Sequence, residues 1–115
     1  MPFTKEDVVK LAFKIYKRGE SMEKSIWDLA QLCVTINKNV KNGYDIKPLE
    51  TDNLVLLIRD DVNGEIIQPP EDEIKEVASI IAGENPSKSE LDWFRAEKQL
   101  LLDEIKNIIA QNRNS

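Results

Sequence analysis

The sequence predicts a mainly α-helical protein, a helical bundle of two helical hairpins, and three observations carry that expectation. Apolar residues recur at helical spacing through four segments. Start and stop signals bracket those segments. A faint internal echo also runs through the chain at a fixed offset of 66 positions. Slid together without a gap, segments 8–32 and 74–98 match Ala12 with Ala78, Ile15 with Ile81, Ser21 with Ser87, Trp27 with Trp93 and Ala30 with Ala96. A constant offset is the mark of a repeated supersecondary unit, here a short helix, a turn and a longer helix. Two amphipathic hairpins can share five identities in 25 positions by patterning alone. The echo therefore argues for architecture and names no reaction.

The first helix is expected over 5–18. Thr4 is its N-cap, Asp7 completes an acidic capping box, and Phe3 and Val8 sit where a hydrophobic staple places them. Val8, Leu11, Ala12, Ile15 and Tyr16 form the apolar stripe, and Gly19 is the stop. The second helix, over 22–41, has two stripes. Met22, Ile26, Leu29, Cys33, Ile36 and Val40 follow at alternating steps of four and three, like a coiled-coil seam, with Trp27, Ala30 and Val34 beside them. The third helix, over 71–82, follows Pro69-Pro70 and opens on Glu71, Asp72 and Glu73, which complement its dipole. Ile74, Val77, Ala78 and Ile81 are its buried face. The fourth, over 88–111, starts at a Ser87/Glu90 capping box. Leu91, Phe94, Leu101, Ile105 and Ile108 form its stripe, which breaks at Lys98.

Between the hairpins, residues 52–68 are ambiguous. Leu54 to Ile58 is apolar on every face, so periodicity does not separate a short helix from a β-hairpin turning at Asn63-Gly64. The helical surroundings favour a helix, since two strands alone are marginal in water.

The 115 residues make a single domain, 1–115. The 41% hydrophobic content supplies a core, built mostly from Ile, Leu and Val because aromatics are only 6%. The net charge of −5 is uneven: residues 1–50 carry nine basic and seven acidic side chains, residues 51–115 seven and fourteen. An acidic second half argues against direct nucleic-acid binding, which needs basic surface, and suits a basic protein partner. No basic-then-apolar leader opens the chain, the longest apolar run is far too short for a membrane span, and there is one cysteine, so a cytoplasmic location without membrane contact is expected.

Two stretches share a family pattern. Asp92-Trp93-Phe94-Arg95-Ala96-Glu97-Lys98-Gln99-Leu100 is similar to the Asp-Trp-x-x-Ala-Glu-x-x-Leu signature of a short bacterial helical-hairpin domain of unknown function. Leu11 to Gly19 resembles that family's aromatic-rich first helix and Gly-containing turn, with Ile26-Trp27 and Ala30-Gln31 at the matching distance. Each copy departs from the pattern: Ile26 and Gln31 replace the acidic positions in the first, and aromatics are missing around Ile80 and Ile81 in the second. The resemblance covers roughly half the chain and implies helical hairpins, with no activity attached.

The chain assembles no catalytic set. It lacks histidine, the commonest general base and metal ligand. One cysteine and no histidine exclude a Cys/His zinc site, and Cys33 lies in the regular stripe, where core packing explains it better than nucleophilic chemistry. Asp61 to Ile66 resembles the middle of an EF-hand loop, but Arg59 and Pro70 stand where its end carboxylates belong. Lys10, Lys14 and Lys17 read as a solvated face. A membrane-surface role with Phe3, Phe13 and Tyr16 as anchors is weakened by Glu6 and Asp7.

The functional expectation is a small non-enzymatic protein–protein interaction module (regulator, inhibitor or adaptor) without a cofactor, binding through helical apolar faces. Trp27, Val34, Trp93 and Phe94 are its candidate partner-binding residues, because tryptophan is enriched at binding centres and the second stripe of the second helix exceeds what a small bundle needs. A homodimer fits the same pattern. The alternatives are an acidic mimic of nucleic acid that occupies a basic groove and, behind it, a metal-dependent enzyme using Glu71, Asp72 or Glu73.

Overall fold

The computed structural model describes residues 3–40, 46–51 and 67–113. Among the described residues there are four helices: α1 Lys5–Lys17, α2 Met22–Asn39, α3 Glu71–Gly83 and α4 Lys88–Arg113. The described residues contain no strand. The protein is mainly α and consistent with a helical bundle, as the patterning predicts. The ambiguous stretch 52–68 falls almost wholly outside the described residues; its last two members, Ile67 and Gln68, are irregular.

Local chemistry sets the boundaries. Thr4 and Asp7 exchange both capping-box hydrogen bonds, at 2.9 and 3.2 Å, and Ser87 and Glu90 do the same at 3.1 Å each. Ser21 accepts the Lys24 amide N–H at 3.1 Å. The second helix stops at Asn39, two residues early, because Val40 turns extended (φ −114°, ψ −175°). There the Asn39 side chain clasps the backbone of Ile67, accepting its N–H at 2.9 Å and donating to its carbonyl at 3.0 Å. The last helix runs two residues past its expected end, where no Gly or Pro interrupts it.

The offset of 66 also indexes the backbone. Helices α1 and α3 begin at 5 and 71, and α2 and α4 at 22 and 88. Gly19 and Asn85, again 66 apart, both take positive φ, +64° and +52°, the left-handed residue that follows a helix end. Bonds from Arg18 N–H to the Ile15 carbonyl and from Gly19 N–H to the Tyr16 carbonyl reappear from Glu84 to Ile81 and from Asn85 to Ala82.

The helices interlock. The packed pairs are α2 with α4, α1 with α4 and α3 with α2, so each short helix lies mainly on the long helix of the other hairpin. The larger core joins Leu29, Ala30, Cys33 and Ile36 of α2 to Ile74 and Ile81 of α3 and to Leu91, Leu101, Ile105 and Ile109 of α4, with Ile46 inserted. A smaller cluster seats Val8 and Ile15 of α1 on Ala96, with Trp93 and Leu100 beside them. Each fully buried Leu or Ile contributes about 1.5–3 kcal/mol, so these two clusters account for how the helices hold together.

The Lys98 interruption is no gap in the stripe. Lys98 is fully buried, and its ammonium lies 2.7 Å from both a Glu97 carboxylate oxygen and the Glu50 carbonyl. The lysine stem fills the core position and the charge finds partners at its rim. Near the end of α4 the buried residue is Ile109, while Ile108 is half-buried.

Candidate functional site

Apart from the exposed Met22, both stripes of α2 are buried or half-buried inside the molecule. Ala30 and Val34 are buried, and Trp27 is half-buried against the larger core. Val34, 5% exposed, therefore presents no surface to a partner; its place is in the core because α4 and α3 flank α2 on two sides. Phe94 is half-buried on the same core, with the Lys98 ammonium 5.5 Å from its ring centre. Trp93 differs. It packs on α1 and keeps part of its ring at the surface, lining two clefts. One, of about 410 Å³, includes Phe3, Val8, Thr51 and Glu97. The other, shallower and about 250 Å³, opens between Trp93 and the outer face of α1.

That outer face is an apolar surface that the sequence offered only as membrane anchors, Phe13 and Tyr16, and not as a partner-binding row. Val9, Phe13 and Tyr16 are 49%, 56% and 60% exposed. Their spacing of i, i+4 and i+7 puts them in one row, and all three border the Trp93 cleft together with Ala12, Ser89 and Asp92. Tyr16 was expected in the buried stripe. The structure instead points it outward, because the face of α1 that packs on α4 is made by Val8, Leu11, Ala12 and Ile15. A signal was present in the sequence: α1 carries apolar residues at 8, 9, 11, 12, 13, 15 and 16, an arc too wide for a single interface. Lysines border the row, and the Lys17 ammonium lies over the Phe13 ring at 4.8 Å, a favourable cation–π contact.

Away from this face, an ion cluster ties α4 to α2 and to the turn before it. Arg95, 5% exposed, reaches from α4 to the α1–α2 turn, donating to Glu20 at 3.1 Å and to Asp28 at 3.0 Å. Lys24 closes the ring, 2.9 Å from Glu20 and 2.8 Å from Asp28. The Glu20 carboxyl is held below the ordinary range, first by the Lys24 hydrogen bond and then by Arg95, against the opposing pull of burial. Lys24 is raised, mainly by its bond to Asp28 and then by Glu20. Two cations and two carboxylates neutralise each other, which is the behaviour of a structural clamp rather than of an acid–base pair poised for proton transfer.

Among the described residues, no group of three or more His, Cys, Asp or Glu is placed to hold a metal ion. Of the acidic first turn of α3, Glu73 pairs with Lys38 at 2.8 Å and Glu71 with Lys75 at 3.7 Å. Cys33 is buried. No described helix is long and apolar enough to cross a membrane. Comparison with protein-family models, with curated proteins and with solved structures finds no match.

Proposed function

We propose that the chain is a non-enzymatic protein-interaction module, a regulator, inhibitor or adaptor, that engages its partner through the outer face of α1. One observation carries this reading: Val9, Phe13 and Tyr16 stand about half exposed in a row beside the Trp93 cleft. Apolar residues at i, i+4 and i+7 are the anchors by which one helix is read by a groove or by another helix. Of the four residues singled out in the sequence, Trp93 borders this surface; Val34 lies in the larger core, and Trp27 and Phe94 pack against it.

Charge narrows the partner. Lys10, Lys14 and Lys17 border the row, so the surface favours a partner with an apolar centre and an acidic rim. A basic partner belongs to the second reading, an acidic mimic, whose support is the negative charge of residues 51–115. Salt separates the two. Electrostatic mimicry weakens steeply between low and physiological ionic strength, whereas apolar anchoring does not. The hairpin family resemblance at Asp92–Leu100 fits either reading, and so does a homodimer built on the same α1 face.

The test compares tagged wild-type protein with a Phe13→Ser/Tyr16→Ser variant in quantitative affinity capture from the native host, followed by titration with the purified partner. Anchors of this kind each contribute more than about 1 kcal/mol to binding, so the pair predicts at least a tenfold loss of affinity. An unchanged partner profile and unchanged affinity reject the α1 face.

A further inference from the structure

We propose that the cleft between α1 and α2, floored by α4 and uncovered by any described residue, is a docking groove for a short non-helical acidic segment of a partner protein. The cleft measures about 460 Å³. Ile15 and Arg18 form one wall, Gln31 and Leu32 the other, and Gln99 and Lys106 lie on the floor. It opens on a different face of α1 from Val9, Phe13 and Tyr16, so it does not depend on the function proposed above.

The chain itself shows what such a groove takes. Moved by 66 positions, Gln31 and Leu32 become Glu97 and Lys98, and Ile15 becomes Ile81. In the second half these positions hold the chain's own segment 46–51. The Thr51 hydroxyl donates to Glu97 at 3.0 Å, and Lys98 donates to the Glu50 carbonyl at 2.7 Å. Ile46 is buried in the cluster that contains Ile81. That segment is irregular, with a turn at Pro48 and Leu49. The groove of the first half is lined by the offset-equivalent positions Ile15, Gln31 and Leu32 and holds no such segment among the described residues.

Two chemical features define the occupant. The first is amide side chains. This protein already grips non-helical backbone that way: Asn37 accepts the Ile46 N–H at 2.9 Å, and Asn39 makes two bonds to Ile67. Gln31 and Gln68 bring the same donor–acceptor pair to the groove, and Gln99 brings its amide oxygen, its amide nitrogen donating to Asp103 at 2.9 Å. The second is charge. Arg18, Arg95 and Lys106 face a single carboxylate there, Asp28. Arg95 is neutralised by Glu20 and Asp28; Arg18 and Lys106 have no ion pair among the described residues. These two cations, unpaired among the described residues and set with Leu102 in one groove, select carboxylates next to a branched apolar side chain.

The experiment pans a phage-displayed library of random dodecapeptides on the full chain, then titrates the enriched peptides against variants. The expected result is a consensus with Asp or Glu beside Leu or Ile, and affinity at least tenfold weaker for Arg18→Glu/Lys106→Glu. Both side chains are exposed, and far-ultraviolet circular dichroism verifies that the variant folds. Gln31→Ala, another exposed position, provides a second variant with an expected loss of threefold or more. The proposal is overturned by no enrichment, by a basic consensus, or by peptides indifferent to both groove variants. Peptides lost only with Phe13→Ser/Tyr16→Ser also overturn it, while leaving the outer-face reading intact.

Discussion

Replacing Arg95 with Met tests how the two hairpins are fastened. The side chain is 6% exposed and its guanidinium makes two charge-assisted bonds, at 3.1 and 3.0 Å, to carboxylates on and beside α2. Hydrogen bonds to charged groups are worth about 1.5–3 kcal/mol each, and breaking a buried ion pair from one side costs about 3–5 kcal/mol. Here the loss is softened because Lys24 stays within 3 Å of both Glu20 and Asp28. Met also fills most of the space of the arginine stem. We therefore expect Arg95→Met to destabilise by about 3 kcal/mol. For a chain of this length that corresponds to a fall in Tm of roughly 12 °C, using an unfolding entropy near 2.1 cal/mol/K per residue. Arg95→Lys offers one ammonium in place of a two-pronged fork and should recover about half. Urea titration followed by circular dichroism reads both. An Arg95→Met protein as stable as the wild type, or more so, would refute the clamp and show that desolvation of the arginine outweighs its bonds.

The remaining predictions concern the backbone, the core and pH. Gly19→Ala should cost about 1 kcal/mol, because φ is +64° there although no atom crowds the added carbon; Gly83→Ala, in helical conformation with open space around it, should gain about 0.5–1 kcal/mol. Opposite signs in the urea midpoints verify the two assignments. Ser25→Ala should be neutral or stabilising by about 1 kcal/mol, since the Ser25 hydroxyl is buried without a partner; a clear loss would mean that the hydroxyl is satisfied in solution. Val34→Ala should lose about 2 kcal/mol through its cavity, whereas Phe13→Ser/Tyr16→Ser should shift stability by less than about 1 kcal/mol in total, each side chain being exposed. Acid should act through Glu20. Its folded carboxyl lies below the ordinary 4.5, so its stabilisation is complete above that pH and is lost as the pH falls through the lowered value. Arg95→Met should flatten the pH dependence of stability in that acid range, and an unchanged slope would remove Arg95 from the cause.

The sequence carried the helices because each start is written in a few residues. Thr4 with Asp7, Ser21, and Ser87 with Glu90 are local signals, and each makes the hydrogen bonds its spacing implies. The helix ends were less legible. The second helix stops at Asn39 because that side chain clasps Ile67, 28 residues away, and no local pattern encodes such a partner. Exposure was the least legible property. Val34 and Tyr16 both sit at helical spacing with buried neighbours, yet one is core and the other surface. The difference lies in how many helices flank each one: α2 is packed by α3 and α4, while α1 touches chiefly α4. Lys98 reads as a break in a stripe, and the tertiary positions of Glu50 and Glu97 help explain how a lysine occupies the core. Of the expected contact residues, Trp93 reaches the α1 surface because the hairpins cross, a tertiary fact beyond any single helix.

The most direct measurement places a photo-activated benzoylphenylalanine at position 13 of the full chain, with a second copy of the protein carrying it at exposed position 107 on α4 as the comparison. The α1 face predicts one dominant cross-linked partner from position 13, erased when Val9 and Tyr16 are changed to serine, and no such product from 107. Equal products from both positions, or a position-13 product indifferent to those changes, would contradict it.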